Sequence, residues 1–262
     1  MAGRIGIEGV VLACEDTGGE GPAVLFLHGL GGTANGWLAQ LRACEERGWR
    51  GIAPDQRGCG RSGGGELSIG RWAADAVALL DRLGVERAAV AGHSMGCMVA
   101  EHAAHELGER AYALALCGGT LAWPEGAADG FTERARLARE GRMDEIAEGV
   151  AATALSERCR REDPRLLGLF RESIAGNDGE RYAAACEAVA KGAMRGPARL
   201  ECPVLAFCGG ADPVTPPPAA EEIAAAAPDG RAAVVGDAGH WCQVEAPEAA
   251  NRVLFDFLEN AG

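Results

Sequence analysis

Short apolar runs alternate with amphipathic stretches along most of the chain, and this alternation constrains the fold more than any other feature. The runs, bounded by Gly, Pro or charged residues, occupy positions 10–14, 23–27, 51–53, 88–91, 113–117, 204–208 and 232–235. Such runs are typical of buried strands in a mostly parallel sheet. Between two of them, Ser68 can cap a helix whose apolar residues recur at helical spacing from Ile69 to Leu83. The pattern therefore predicts an α/β fold with helices on both faces of the sheet.

Residues 122–197, called the helical insertion below, interrupt this alternation because they contain no convincing strand pattern. Met143, Ile146, Val150 and Leu155 follow helical spacing, and Pro164 opens a further helical stretch. The sequence thus predicts a helical segment placed between two strands of the sheet.

The size and charge of the chain exclude several classes of protein. A chain of 262 residues, of which 48% are hydrophobic, can bury a sizeable core without disulfides or metals. No apolar run approaches the roughly 18 residues that a membrane span requires. The net charge of −13 would repel a phosphate backbone. We therefore expect neither a membrane nor a nucleic acid as partner.

The chain contains ten cysteines, but their spacing does not indicate a disulfide or metal framework. No C-x-x-C pair occurs, and Cys117 and Cys208 lie inside strand-like runs, where a reduced thiol packs as a small hydrophobe. No basic region followed by an apolar stretch opens the chain, so no signal peptide is expected. These features predict a reduced, cytoplasmic protein.

The sharpest functional signal is the pentapeptide G-x-S-x-G at residues 92–96. It directly follows the predicted strand 88–91 and directly precedes a helical stretch that includes Met98, Val99 and Leu107. A nucleophile elbow requires this strand–turn–helix context, because the turn exposes the serine hydroxyl above the sheet. Ser94 is therefore the predicted nucleophile, and the adjacent His93 side chain is expected to point away.

A serine hydroxyl is a weak nucleophile and needs a base, for which His240 is the best of the five histidines. It lies in the loop after the last predicted strand, where catalytic residues are common. Asp212, in the loop after the preceding strand, is the carboxylate predicted to orient it. His102 and His105, three residues apart on the helix after the elbow, are interpreted as a solvated face and not as half of a metal site.

Four blocks in order make the chain resemble the α/β-hydrolase superfamily over essentially its whole length. They are residues 28–32, residues 55–62, the elbow, and the loops of Asp212 and His240; the order of Ser94, Asp212 and His240 is also that of the superfamily. The resemblance implies a mostly parallel eight-stranded sheet with helices on both faces. It also implies a core domain, residues 1–121 and 198–262, with a helical cap or lid, residues 122–197, inserted after the sixth strand. Some relatives carry the acid after that strand, but here no acidic residue follows it until Glu125.

The resemblance also implies the surroundings of the reacting carbonyl. The backbone N–H groups of Leu30 and Met95 would form the oxyanion hole, the block 55–62 would shape a turn, and neither a metal nor an organic cofactor would be needed. The cap would supply most of the pocket. Candidate pocket walls are His28, Trp37, Trp123, Phe131 and Trp241; for Trp37, Trp123 and Phe131 a position in the ordinary core is the more common alternative. Arginines of the cap that could bind an anionic substrate, or form a solvated helix face, are Arg134, Arg136, Arg139 and Arg142.

A serine at position 94 separates the chain from haloalkane dehalogenases and epoxide hydrolases, which use Asp there. The blocks around Ser94 and His240 look similar to those of 3-oxoadipate enol-lactonases and small carboxylesterases. The expected reaction is hydrolysis of a small ester or lactone through an acyl-enzyme, by a monomer or homodimer. A carbon–carbon bond hydrolase, a cofactor-free perhydrolase and a small-molecule receptor with an intact triad remain open alternatives.

Overall fold

The computed structural model describes residues 2–261. The strands are β1 (Ala2–Ile7), β2 (Val10–Asp16), β3 (Ala23–Leu27), β4 (Arg50–Pro54), β5 (Ala88–His93), β6 (Ala111–Cys117), β7 (Val204–Gly209) and β8 (Gly230–Val235). The α-helices are α1 (Leu38–Glu46), α2 (Ile69–Arg82), α3 (Met95–Leu107), α4 (Ala127–Arg139), α5 (Met143–Ala154), α6 (Glu157–Glu162), α7 (Pro164–Ala175), α8 (Gly179–Ala190), α9 (Pro217–Ala226), α10 (Cys242–Glu245) and α11 (Pro247–Glu259).

All strands belong to one eight-stranded sheet with the order β1-β2-β4-β3-β5-β6-β7-β8. The pairs β1–β2 and β2–β4 are antiparallel, whereas the pairs from β4 through β8 are parallel. Strands β3, β5, β6 and β7 are buried along their whole length, as their continuous apolar runs predict. The mostly parallel α/β sheet expected from the sequence is thus confirmed.

Helices cover both faces of the sheet and form two separate apolar cores. Leu79 of α2, Val99 of α3 and Ile223 of α9 belong to the core on one face. Leu41 of α1 and Phe255 of α11 belong to the core on the other face. The predicted cap of α2 is present, because the Ser68 hydroxyl accepts a hydrogen bond from the Arg71 N–H at 3.1 Å.

The helical insertion comprises helices α4 to α8, between β6 and β7. Pro164 is the first residue of α7, as predicted, since proline at that position gives up an N–H that the helix would leave unpaired. The insertion has an apolar core of its own, including Ile146, Phe170 and Tyr182, and Trp241 from the loop after β8 packs into it. Its status as a separate domain stays a prediction. Among residues 2–261, no helix is long and apolar enough to span a membrane.

Candidate active site

Ser94 lies between β5 and α3 in a strained backbone conformation. Its φ of 53° makes it the only non-glycine residue of the described chain with a positive φ. A Cβ atom on Gly92 would collide with the carbonyl oxygen of Gly96, and a Cβ on Gly96 would collide with that of Leu27. Both glycines are therefore required for the tight packing of the turn against its neighbours, and the strain at Ser94 is of the kind that functional sites retain.

His240 and Asp212 approach each other in the loops after β8 and β7. The imidazole Nδ1 lies 2.8 Å from Oδ2 of Asp212, and both residues are buried. A proton on Nδ1 is donated to this carboxylate, which leaves Nε2 as the basic atom of the ring. The structure thus brings together the two groups that sequence reasoning had placed in separate loops.

Thr215 is a further member of this cluster that sequence reasoning missed. Its hydroxyl donates a hydrogen bond to Oδ2 of Asp212 at 2.8 Å and lies 3.2 Å from Nδ1 of His240. The backbone N–H groups of Val214 and Thr215 donate to the other carboxylate oxygen. Burial alone would raise the pKa of Asp212, but the hydrogen bonds from His240 and Thr215 lower it below its ordinary value. The carboxylate therefore stays ionised.

Ser94 and His240 line the same cavity. No hydrogen bond joins the Ser94 hydroxyl to His240 in the described chain, in contrast with the bond between His240 and Asp212. Such bonds are often long in the absence of substrate and tighten in the reactive complex. The bond from His240 to Asp212 is thus in place for proton transfer, whereas the bond from Ser94 to His240 is not formed within residues 2–261.

Leu30 and Met95 both line this cavity, and their backbone N–H groups have no protein acceptor in the described part of the chain. Residues 29–32 form a tight turn, in which the Gly32 N–H donates to the carbonyl of Gly29 at 3.0 Å and Gly31 has a φ of 74°. The Leu30 N–H belongs to this turn, and the Met95 N–H belongs to the first residue of α3. Within residues 2–261 neither N–H has a hydrogen-bond partner. Unpaired donors beside a serine can stabilise a developing oxyanion.

The cavity is small, with a volume of about 70 Å³. Its lining residues come from the sheet loops and the helical insertion: Leu30, His93, Ser94, Met95, Trp123, Phe131, Arg134, Val150, Thr153, Ala154, Val189, Val214, His240 and Trp241. Trp241 also borders an apolar groove of about 260 Å³, which Leu166, Leu169 and Val244 help to line. The ring of Trp241 therefore contributes to the boundaries of both spaces.

The predicted pocket walls divide into two groups. Trp123, Phe131 and Trp241 line the cavity, and the rings of Trp123 and Phe131 meet edge to face at 5.2 Å. The prediction is wrong for Trp37, which packs on Phe26 in the core, and for His28, which is buried below the turn. Sequence pattern cannot separate these groups, because the side that an aromatic ring faces depends on contacts with residues distant in sequence.

The expectation that His93 points away from the site is also wrong. Its ring lies 5.0 Å from that of His240 and 4.6 Å from that of Trp241, and its Nε2 donates to the carbonyl of His240 at 3.0 Å. Its Nδ1 is buried and has no hydrogen-bond partner among residues 2–261. Burial lowers the pKa of His93 to about 3, so the ring stays neutral and fixes the backbone of His240.

The loop that carries His240 is bound to the helical insertion. The His240 N–H donates to the carbonyl of Ala154, the last residue of α5, at 2.8 Å. The carboxylate of Glu245 accepts hydrogen bonds from the hydroxyl of Ser156 and from the N–H of Gly239. The insertion thus supports the predicted base directly.

Comparison with known proteins gives the family of the chain. Residues 22–247 match the family model described as alpha/beta hydrolase fold. The chain is 29% identical to the RutD protein of Escherichia coli, named as a carbamate hydrolase, over 91% of this chain and 92% of that protein. It is also 29% identical to 3-oxoadipate enol-lactonase 2 of Acinetobacter baylyi, over 89% of this chain and 87% of the relative.

A solved structure supports the same assignment. The thermophilic esterase of Thermogutta terrifontis, determined with malate bound, superposes with a TM-score of 0.92 at 29% identity and covers 100% of this chain and 99% of its own. The chain therefore belongs to the α/β-hydrolase fold family. The relatives named above are, by name, a hydrolase, a lactonase and an esterase, which supports an enzyme of hydrolytic type.

Proposed function

We propose that the chain is a serine hydrolase that cleaves a small carboxylic ester or lactone. The observation that carries the proposal is the meeting, at one small cavity, of Ser94, of His240 held by Asp212, and of the unpaired amides of Leu30 and Met95. Each of these groups has a separate role in acyl transfer, whereas a turn with a purely structural role does not require that they lie together.

In the proposed reaction, Ser94 attacks the carbonyl carbon while Nε2 of His240 accepts its proton. The ionised Asp212 stabilises the imidazolium that forms, and the amides of Leu30 and Met95 hold the oxyanion. His240 then returns the proton to the leaving alkoxide, which leaves an acyl-enzyme. Water, activated by the same imidazole, hydrolyses this intermediate and regenerates the serine.

The dimensions of the cavity favour a small substrate. Pockets for drug-sized ligands measure roughly 300–1,000 Å³, whereas this cavity measures about 70 Å³. In this proposal residues 122–197 act as a cap domain over the core formed by residues 1–121 and 198–262. The ten cysteines are all free and buried, which favours a reducing cytoplasmic setting.

The experiment is labelling with a fluorophosphonate probe, followed by hydrolysis of p-nitrophenyl acetate and short lactones. Ser94→Ala should abolish labelling and lower turnover by about 10⁴-fold or more, because the nucleophile is lost while the rest of the site remains. Ser173→Ala, at an exposed position on α7, is the matched control and should behave as the wild type. Undiminished labelling of Ser94→Ala would refute the assignment, and labelling without repeated turnover would favour the receptor alternative.

A further inference from the structure

Strand β8 forms one edge of the sheet, and its outer side has no strand partner within residues 2–261. The strand contains no proline, pairs with β7 without a bulge, and carries one charged residue, Arg231. Val234 is 50% exposed, and Arg231 and Ala232 are exposed as well. Proteins usually protect an edge strand with charges, prolines or bulges, because its free backbone groups can bind a strand of another chain. Strand β8 has little of this protection.

The backbone groups on the outer side of β8 belong to alternate residues. The Val204 N–H of β7 donates to the carbonyl of Asp229 at 2.8 Å, and β8 then runs parallel to β7 in continuous register. Alternate residues of a parallel strand direct their N–H and C=O groups to the same neighbour. The odd-numbered residues of β8 therefore bond to β7, whereas Ala232 and Val234 direct their N–H and C=O groups away from the sheet.

The opposite edge of the sheet, strand β1, is less suited to pairing with another chain. Its exposed residues include Gly3 and Gly6, which weaken a strand because they have no side chain to pack. Its exposed Arg4 carries a charge and donates a hydrogen bond to the carbonyl of Arg61 at 3.3 Å. The two edges thus differ, and β8 is the one that offers an apolar surface beside free backbone groups.

We infer that β8 pairs in antiparallel orientation with β8 of a second copy of the chain, so that the two sheets join into one. A two-fold axis perpendicular to the sheet keeps each side chain on its own face, so the axis lies between one residue and its own copy. With the axis at Ala233, Ala232 of each copy lies opposite Val234 of the other. These are the residues with outward backbone groups, so they can exchange hydrogen bonds. The exposed Val234 side chains also gain an apolar neighbour.

The charges of β8 favour this register. Arg231 lies opposite Val235 of the other copy and well away from the second Arg231. An axis at Ala232 would instead make the two arginines diagonal neighbours, within reach of each other's charge. The net charge of −13 makes two copies repel each other at long range. The pairing of two short strands therefore gives a weak, reversible dimer that salt strengthens by screening this repulsion.

Sedimentation equilibrium from roughly 10 µM to 1 mM protein, in about 0.5 M salt, tests this dimer. With rising concentration, the mass of the wild type should increase from 27.0 kDa towards twice that value. Val234→Lys should raise the concentration at half-dimerisation by about tenfold or more, because lysine on an edge strand opposes pairing. Val11→Lys is the matched control and should dimerise as the wild type does. Val11 is 41% exposed, but its strand β2 has a neighbouring strand on both sides.

Hydrogen exchange of the wild type locates the interface without a variant. The amides of Ala232 and Val234 should become protected as the concentration rises, whereas those of Arg231 and Ala233, already bonded to β7, should not change. Three results would each overturn the inference: a wild type that stays monomeric over the whole range, equal dimerisation of wild type and Val234→Lys, or a dimer in which the two outward amides stay unprotected. The edge does not line the cavity with Ser94, so none of these results affects the proposed function.

Discussion

Lowering the pH from 8 to 4.5 should destabilise the protein through the buried His93. In the folded chain its pKa is about 3, because burial and the neighbouring His240 disfavour the charged ring. In the unfolded chain the pKa returns to about 6.5. The unfolded state therefore binds a proton that the folded state excludes, so stability falls as the pH drops below about 6.5. Each pH unit costs about 1.4 kcal/mol, or about 3 kcal/mol in total at pH 4.5.

Urea denaturation of wild type and His93→Gln at pH 8, 6.5, 5.5 and 4.5 measures this effect. At pH 8 the imidazole is neutral in both states, so the difference between the proteins gives the packing cost of the substitution alone. Between pH 8 and 4.5 the wild type should lose about 3 kcal/mol more than the variant. The buried His28, whose pKa burial also lowers, is present in both proteins and cancels. Parallel pH dependences for the two proteins would show that His93 is not buried as a neutral ring.

Three further substitutions test other parts of the site. Gly96→Ala should lower the free energy of unfolding by about 2 kcal/mol or more, because the added methyl group meets a backbone carbonyl at the end of β3. Gly149→Ala, in open space on α5, is the control. Equal stability of the two variants would contradict the close approach of Gly96 to β3. Thr215→Val should lower kcat/KM roughly tenfold by removing one hydrogen bond to Asp212, and an unchanged value would exclude a role for the hydroxyl. Trp241→Ala should join the cavity to the neighbouring groove and raise the activity on p-nitrophenyl hexanoate relative to the acetate, whereas an unchanged ratio would place the boundary elsewhere.

Buried strands are predictable from this sequence because a strand covered on both faces must be apolar throughout. Strand β1 does not follow that rule. It lies at the edge of the sheet, pairs only with β2, and includes the exposed Arg4 and two exposed glycines, so its apolar signal is weak. The pairing of its backbone with β2 stabilises it, and a pattern of side chains does not reveal such pairing.

That Ser94, Asp212 and His240 lie at one edge of the sheet could be predicted, because each follows the carboxyl end of a strand and such ends share one edge of a parallel sheet. The direction of individual side chains could not. The sequence predicts the wrong side for His93 and leaves Trp37 open between pocket and core, since the direction of each ring depends on contacts distant in sequence. Thr215 had one local signal, its position three residues after Asp212, where an aspartate often accepts hydrogen bonds from the following turn.

In the proposed reaction, the hydrogen bond between the His240 N–H and the carbonyl of Ala154 limits how substrate can reach Ser94. If α5 swung outward as a rigid flap, it would draw the imidazole away from the serine and the reaction would stop until the flap returned. If substrate is to enter while the base stays in place, other walls of the cavity must move, such as the side chains of Trp123, Phe131 or Trp241. The helices of the insertion thus differ in how far they can move. The end of α5 must stay bound to the loop of His240 through every turnover, and substrate and product must pass beside it.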